Sequence, residues 1–136
     1  MLRKMTIGLT LAMLATTAQA GLTQPAEVDV DLANNFAEGD QVSARYSVNL
    51  TEFIGCGMRK RLTASGTYFT SGFCQAEDKA GEKILCQTLD AGLIDAMGSS
   101  GAYAFITFSW DPTTLDCTRI GFSNQSFYLP KKLDRN

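Results

Sequence analysis

Cys56, Cys74, Cys86 and Cys117 are the residues best placed for covalent chemistry in this chain of 136 residues, which has no histidine. Without imidazole, Ser-His and Cys-His nucleophile pairs cannot be assembled, and histidine-containing metal sites go with them. The cysteine spacings of 18, 12 and 31 residues contain no C-x-x-C pair. They therefore fit neither a structural zinc knuckle nor a redox dithiol, and the even set reads as two disulfides. No metal and no cofactor is expected.

Other chemistry has weaker footing. No S-x-x-K occurs after residue 20, so a Ser-Lys dyad lacks its usual spacing. Glu77 and Asp78 are the best candidates for paired carboxylates, the equipment of glycoside cleavage, but they flank a hairpin tip where acids are commonly solvated. "DVDLANNFAEGD" has scattered acids without the D-x-D-x-D-G spacing or terminal Glu of a calcium loop.

The elements that must carry these residues are hairpins. In "EDKAGEK", Gly81 ends a loop Lys79-Ala80-Gly81, where such turns need a left-handed residue. Centring that turn on Ala80 sets Cys74 opposite Cys86. In "LTASGTY", Gly66 ends the loop Ala64-Ser65-Gly66, and centring on Ser65 sets Cys56 opposite Cys74. Three cysteines thus share one face of three neighbouring strands. Cys56 and Cys86 would be about 9.6 Å apart across the central strand, beyond the disulfide reach of about 7 Å between Cα atoms. Cys74 must bond either Cys56 or Cys86, with the one left over bonded to Cys117. Of the two, Cys74–Cys86 is the expectation.

The same register sorts the other side chains. Met58, Leu62, Tyr68 and Ile84 join the cysteines on a core face, while Arg59, Arg61, Phe69, Phe73 and Leu85 lie on the other. Arg61 faces Phe69 and Arg59 faces Ser71. Arg59, Arg61 and Phe69 are the candidate ligand-binding residues, suited to an anionic or aromatic ligand through cation–π and bidentate contacts. The plainer alternative is that the arginine stems cover the rings, or that the helix packs there.

Period-two alternation in "EVDVDL" and "QVSARYSVNL" predicts a pair of strands joined by the turn-rich "ANNFAEGD". "TLDAGLIDAMGSSG" is the helix candidate, with Leu89, Leu93, Ala96 and Met97 on one stripe, Thr88 or Asp90 as cap and Gly98 at its end. "YAFITFSW" and "CTRIGFSNQSFYLP" flank "DPTTLD" in a final aromatic hairpin, and the aromatics read as core filling. The expected fold is mainly β, an antiparallel small barrel or sandwich of about seven strands with one short helix, stabilised by disulfides.

The opening "MLRKMTIGLTLAMLATTAQA" combines a basic start, a short apolar run and an A-x-A site, which predicts a signal peptide over 1–20. Residues 21–136 are then a single β-rich domain, periplasmic or secreted. Its later segments are not apolar enough to insert in a membrane. The formal charge of -2 argues against nucleic acid as partner. The partner is otherwise left open, a periplasmic or extracellular protein being the class considered. "NLT" at Asn49 and "NQS" at Asn124 fit the glycosylation sequon, which a bacterial chain would carry by chance.

The words "FIGCGMR", "SGFCQAED", "FITFSWD" and "CTRIGFSNQSFYLP", in this order, resemble a group of small exported bacterial four-cysteine proteins of uncharacterised function. The resemblance spans Glu27 to Pro130 and supplies no activity to carry over. The leading functional expectation is a non-enzymatic exported binding module. The alternative is an inhibitor of a secreted or periplasmic hydrolase such as a protease, presenting "DKAGEK" or "DPTTLD". A carboxylate-dependent hydrolase comes last.

Overall fold

The computed structural model describes residues 21–130, so the expected leader and the polar "KKLDRN" tail lie outside the described residues. The elements run β1 (Asp29–Asp31), β2 (Phe36–Asp40), α1 (Gln41–Arg45), β3 (Phe53–Leu62), β4 (Tyr68–Glu77), β5 (Lys83–Thr88), α2 (Ala91–Gly98), β6 (Phe105–Trp110) and β7 (Cys117–Ser123), then a single 3-10 turn at Ser126–Tyr128. The strands form two antiparallel sheets, β1-β2-β6-β7 and β3-β4-β5. They are not closed into a barrel. Among the described residues an isolated β-bridge, Gln87 to Asp116, joins the sheets along one seam. One shared core lies between them, with Val30, Ala37, Ile106 and Phe108 from one sheet against Ile54, Cys74, Ala76 and Cys86 from the other.

Both central hairpins form in the expected register, with Cys56 opposite Cys74 and Cys74 opposite Cys86. Gly66 (φ 80°) and Gly81 (φ 86°) take the left-handed conformation that ends each three-residue loop. The Thr63 N–H donates to the Thr67 carbonyl at 2.8 Å, and the Asp78 N–H donates to the Glu82 carbonyl at 3.0 Å, closing the two turns.

Those closing bonds decide the disulfides. Hydrogen-bonded and non-hydrogen-bonded pairs alternate along an antiparallel ladder, and opposed Cα atoms come closest at the latter. Counted from Thr63–Thr67, Cys56–Cys74 falls on a non-hydrogen-bonded pair; counted from Asp78–Glu82, Cys74–Cys86 falls on a hydrogen-bonded one. The bridges are Cys56–Cys74, with Cα atoms 4.0 Å apart, and Cys86–Cys117, at 5.1 Å. The expected Cys74–Cys86 bond is therefore corrected to Cys74–Cys56, and the second bridge crosses the seam between β5 and β7. In the chain-entropy picture, loops of 18 and 31 residues are worth about 3 and about 4 kcal/mol.

Three other expectations need correction. "ANNFAEGD" is no mere connection, since it contains β2, which pairs with β1 and then with β6. "QVSARYSVNL" is not a strand. Asp40 N-caps α1 there, accepting from the Ser43 N–H at 2.7 Å and the Ser43 hydroxyl at 2.6 Å, and it also takes the Ala26 N–H at 2.6 Å. Of the alternating Val42, Ala44, Tyr46, Val48 and Leu50, only Ala44 is buried, while Val48 and Leu50 are almost fully exposed. Lastly, Met58, Leu62 and Tyr68 lie on the cysteine face but are 53, 61 and 70 % exposed. β5 stops at Thr88, opposite Gly72, so the rest of the β3–β4 hairpin runs past the core.

α2 forms where expected. The Asp90 carboxylate accepts from the Leu93 N–H at 2.9 Å as N-cap. Leu93 packs on the core and Met97 is buried in it; Leu89 lies before the helix and is exposed. Ile94, off the expected stripe, is buried as well. Met97 lies over Gly72, filling the space that a Cβ there would need. The final hairpin also forms, with Ile106, Phe108 and Trp110 buried and a bulge in β7 between the partners of Ser109 and Trp110. The aromatics are only partly core. Phe108 and Trp110 are buried, whereas Tyr103 is exposed and Phe105 stacks on Tyr128 at 5.4 Å.

Digestion without reduction is expected to yield cross-linked peptides Cys56–Cys74 and Cys86–Cys117; a Cys74–Cys86 peptide would overturn the ladder parity. Gly72→Ala should destabilise the domain by about 1–3 kcal/mol through overpacking against Met97. Urea unfolding measures this, and Met97→Ala in the same chain should recover part of the Gly72→Ala loss.

Candidate functional site

Four residue pairs extend past the end of β5, from Arg59–Ser71 to Leu62–Tyr68, before the turn at Thr63–Thr67. This ribbon reaches roughly 13 Å beyond the last three-stranded row. Its turn is held by side chains, the Thr63 hydroxyl lying 2.8 Å from both the Ser65 and the Thr67 hydroxyls. Between Phe53 and Glu77 the charged residues are Arg59, Lys60 and Arg61, all cations.

Each of these cations lies over an aromatic ring. The Arg59 guanidinium is 5.1 Å from the Phe73 ring centre, Arg61 is 5.5 Å from Phe69, and the Lys60 ammonium is 5.2 Å from Tyr68. Such stacking holds a long flexible side chain in place and leaves its outer face open to an anion. The expected residues Arg59, Arg61 and Phe69 are thus brought together on one face, in the register read for them, Arg61 opposite Phe69 and Arg59 opposite Ser71. α2 does not cover that face. It contacts the opposite one, where Met97 meets Gly72. Lys60, which sequence reasoning does not single out, and Tyr68, expected on the core face, form the matching pair on the other face; the run "RKR" is the signal for Lys60.

On the face of Lys60, an open groove of about 560 Å³ separates the ribbon from α2. Met58 and Thr70 form one wall, and Leu89, Ile94 and Asp95 are part of the other.

The remaining candidates hold structure. Glu77 pairs with Lys83 at 2.8 Å, and Asp78 accepts from the Ala80 and Glu82 N–H groups at 2.8 and 3.0 Å. Lys79, at the tip of "DKAGEK", pairs with Glu27 at 2.6 Å, which raises its pKa. Asp111 accepts from the Thr113 and Thr114 N–H groups in "DPTTLD", and hydrogen bonds from Thr114 and Thr113 lower its pKa. The acids of "DVDLANNFAEGD" do not converge. Asp31 binds Asn34 across its turn, while Asp40 is buried and caps α1. The four cysteines are all bridged. These two disulfides fit an oxidising compartment. No described helix is long and apolar enough to cross a membrane.

No protein-family model matches the chain, and neither a curated protein nor a solved structure does.

One carboxylate outside the ribbon has a testable pH dependence. Burial pushes the Glu52 pKa up, but hydrogen bonds from the Ser47 hydroxyl, the Asn49 amide and the Val28 N–H, with the charge of Lys79, outweigh it and leave the pKa lowered. A lowered folded-state pKa means the stabilisation is complete above the ordinary carboxylate range, roughly 4 to 4.5, and is lost as pH falls through the folded value. Glu52→Gln should therefore flatten the fall in urea midpoint on acidification below about pH 5. Equal slopes for both proteins would show that Glu52 contributes nothing to it.

Proposed function

We propose that this chain is a non-enzymatic binding module, exported to the periplasm or beyond, that docks on an anionic region of a partner protein through its β3–β4 ribbon. The observation that carries this reading is the ribbon itself, a projecting arm with three ring-stacked cations and no acid. A segment kept only for packing would place its apolar side chains under the core. Here Met58, Leu62 and Tyr68 stand in solvent beside the cations. Export is supported by the two bridges together with the leader-like opening of the sequence.

The inhibitor reading has one feature in its favour. Both candidate loops are stiffened from within, by Asp78 and by Asp111. It would place the contact on "DKAGEK" or "DPTTLD", so inhibition would be indifferent to the ribbon arginines.

The ribbon reading is tested by titrating the 21–136 chain with a short polyglutamate peptide. Binding should weaken with added salt, and Arg59→Ala with Arg61→Ala should weaken it at least about tenfold while the urea midpoint holds. A lowered midpoint in that variant, or binding that survives it, would mean that the arginines only shield the rings.

A further inference from the structure

Among the described residues, part of the ribbon's β4 edge has no strand paired to it. β5 leaves β4 at Gly72, because Thr88 and Asp90 turn the chain into α2, and β4 continues alone from Tyr68 to Ser71 on that side. Alternation from the Thr63–Thr67 closing bond directs the N–H and C=O groups of Phe69 and Ser71 to β3, and those of Tyr68 and Thr70 outward. Two donors and two acceptors thus face the side that β5 has vacated. The groove between the ribbon and α2 opens at the same place, with Thr70 on its wall, Met58, Leu89 and Ile94 as its apolar part, and Asp95 on the α2 side, which disfavours an acid pointing into it.

From these observations we infer that β4 takes up a fourth strand from outside, an extended acidic segment of a partner protein. Its backbone would pair with Tyr68 and Thr70, its alternate apolar side chains would enter the groove against Met58, Leu89 and Ile94, and its acids, pointing to the other face, would meet Arg59 and Arg61. Strand addition draws affinity from main-chain hydrogen bonds and specificity from pockets for alternate side chains, and both are present. Charge selects the occupant. Arg59, Lys60 and Arg61 are the charges of the ribbon, so an acidic strand is attracted and a second copy of this ribbon is repelled. The outer edge of β3 is also unpaired among the described residues, so the two edges are told apart by which amides become protected. This inference rests on the ribbon as the docking element and specifies how the partner lies on it.

The test uses the 15N-labelled 21–136 chain and an eight-residue peptide alternating valine and glutamate. Saturable binding should slow hydrogen exchange at the Tyr68 and Thr70 amides at least about tenfold, with shifts at Ile94 and Leu89. Thr70→Pro removes an outward N–H and leaves the β3 ladder intact, a change that edge strands tolerate. It should weaken binding about tenfold, whereas Thr70→Val, which keeps the N–H, should bind like the wild type. Binding lost in the arginine variants but kept in Thr70→Pro would overturn strand addition and leave anionic docking standing. Protection at Met58 and Lys60 instead would move the partner to the β3 edge and overturn the inference. So would concentration-dependent dimers protected at Tyr68 and Thr70, which make the occupant a second copy, or no saturable binding up to about 1 mM.

Discussion

Cys74 has a cysteine opposite it on both neighbouring strands, and the geometry of the antiparallel ladder decides which one it bonds. Close Cα approach at a non-hydrogen-bonded pair gives it to Cys56. Cys86 is thereby left without a partner in its own sheet and reaches across to Cys117, next to the Gln87–Asp116 bridge that joins the sheets. The sulfurs of Cys74, Cys86 and Cys117 end within 4.8 Å of one another, all buried. The bond that ties the two sheets together therefore follows from the hydrogen-bond phase of two turns, set by Gly66 and Gly81. Ala37, Ala76 and Ala104 are fully buried in the same core, beside the larger Ile106 and Phe108.

The exposed ribbon is a consequence of how the next element begins. Thr88 accepts the Asp90 N–H at 3.1 Å, Asp90 caps α2, and β5 has to end there. α2 then folds back with Met97 on Gly72, occupying the one row where β4 has no side chain. A β5 strand four residues longer would have covered the β4 edge and extended the three-stranded sheet under Met58 and Tyr68. The cap that starts the helix is thus also what leaves a strand edge open.

Much of this could be read from the sequence, for local reasons. Both hairpin registers followed from a glycine at the end of a three-residue loop, and α2 from an Asp cap ahead of an apolar stripe. The disulfide partner was legible too, since the ladder phase is countable from each turn, but register alone does not use it. The 41–50 segment was misread because Val42, Ala44, Tyr46, Val48 and Leu50 alternate, and alternation cannot tell a half-buried strand from a capped turn of helix followed by exposed loop. Asp40 ahead of Ser43 was the better signal. Met58, Leu62 and Tyr68 were assigned to the correct face. Burial depends also on what lies over that face, and this was set by the length of β5, a tertiary matter that parity does not reach.

The charges of the ribbon have to be judged against the hazard that an open edge creates. An unpaired edge templates pairing with any extended chain, and proteins blunt such edges with cations and short strands. The four-residue β4 edge with Arg59, Lys60 and Arg61 beside it meets both conditions, so protection alone would account for the charges. It does not account for the stacking. Solvated lysines at any of these positions would repel a second copy equally well, whereas rings beneath Arg59, Lys60 and Arg61 hold each cation in place. A fixed cation gives up less conformational freedom on meeting an anion, and that difference favours recognition over mere repulsion. The same three charges then serve both ends, keeping like ribbons apart within a Debye length of about 8 Å and presenting ordered groups to an acidic strand.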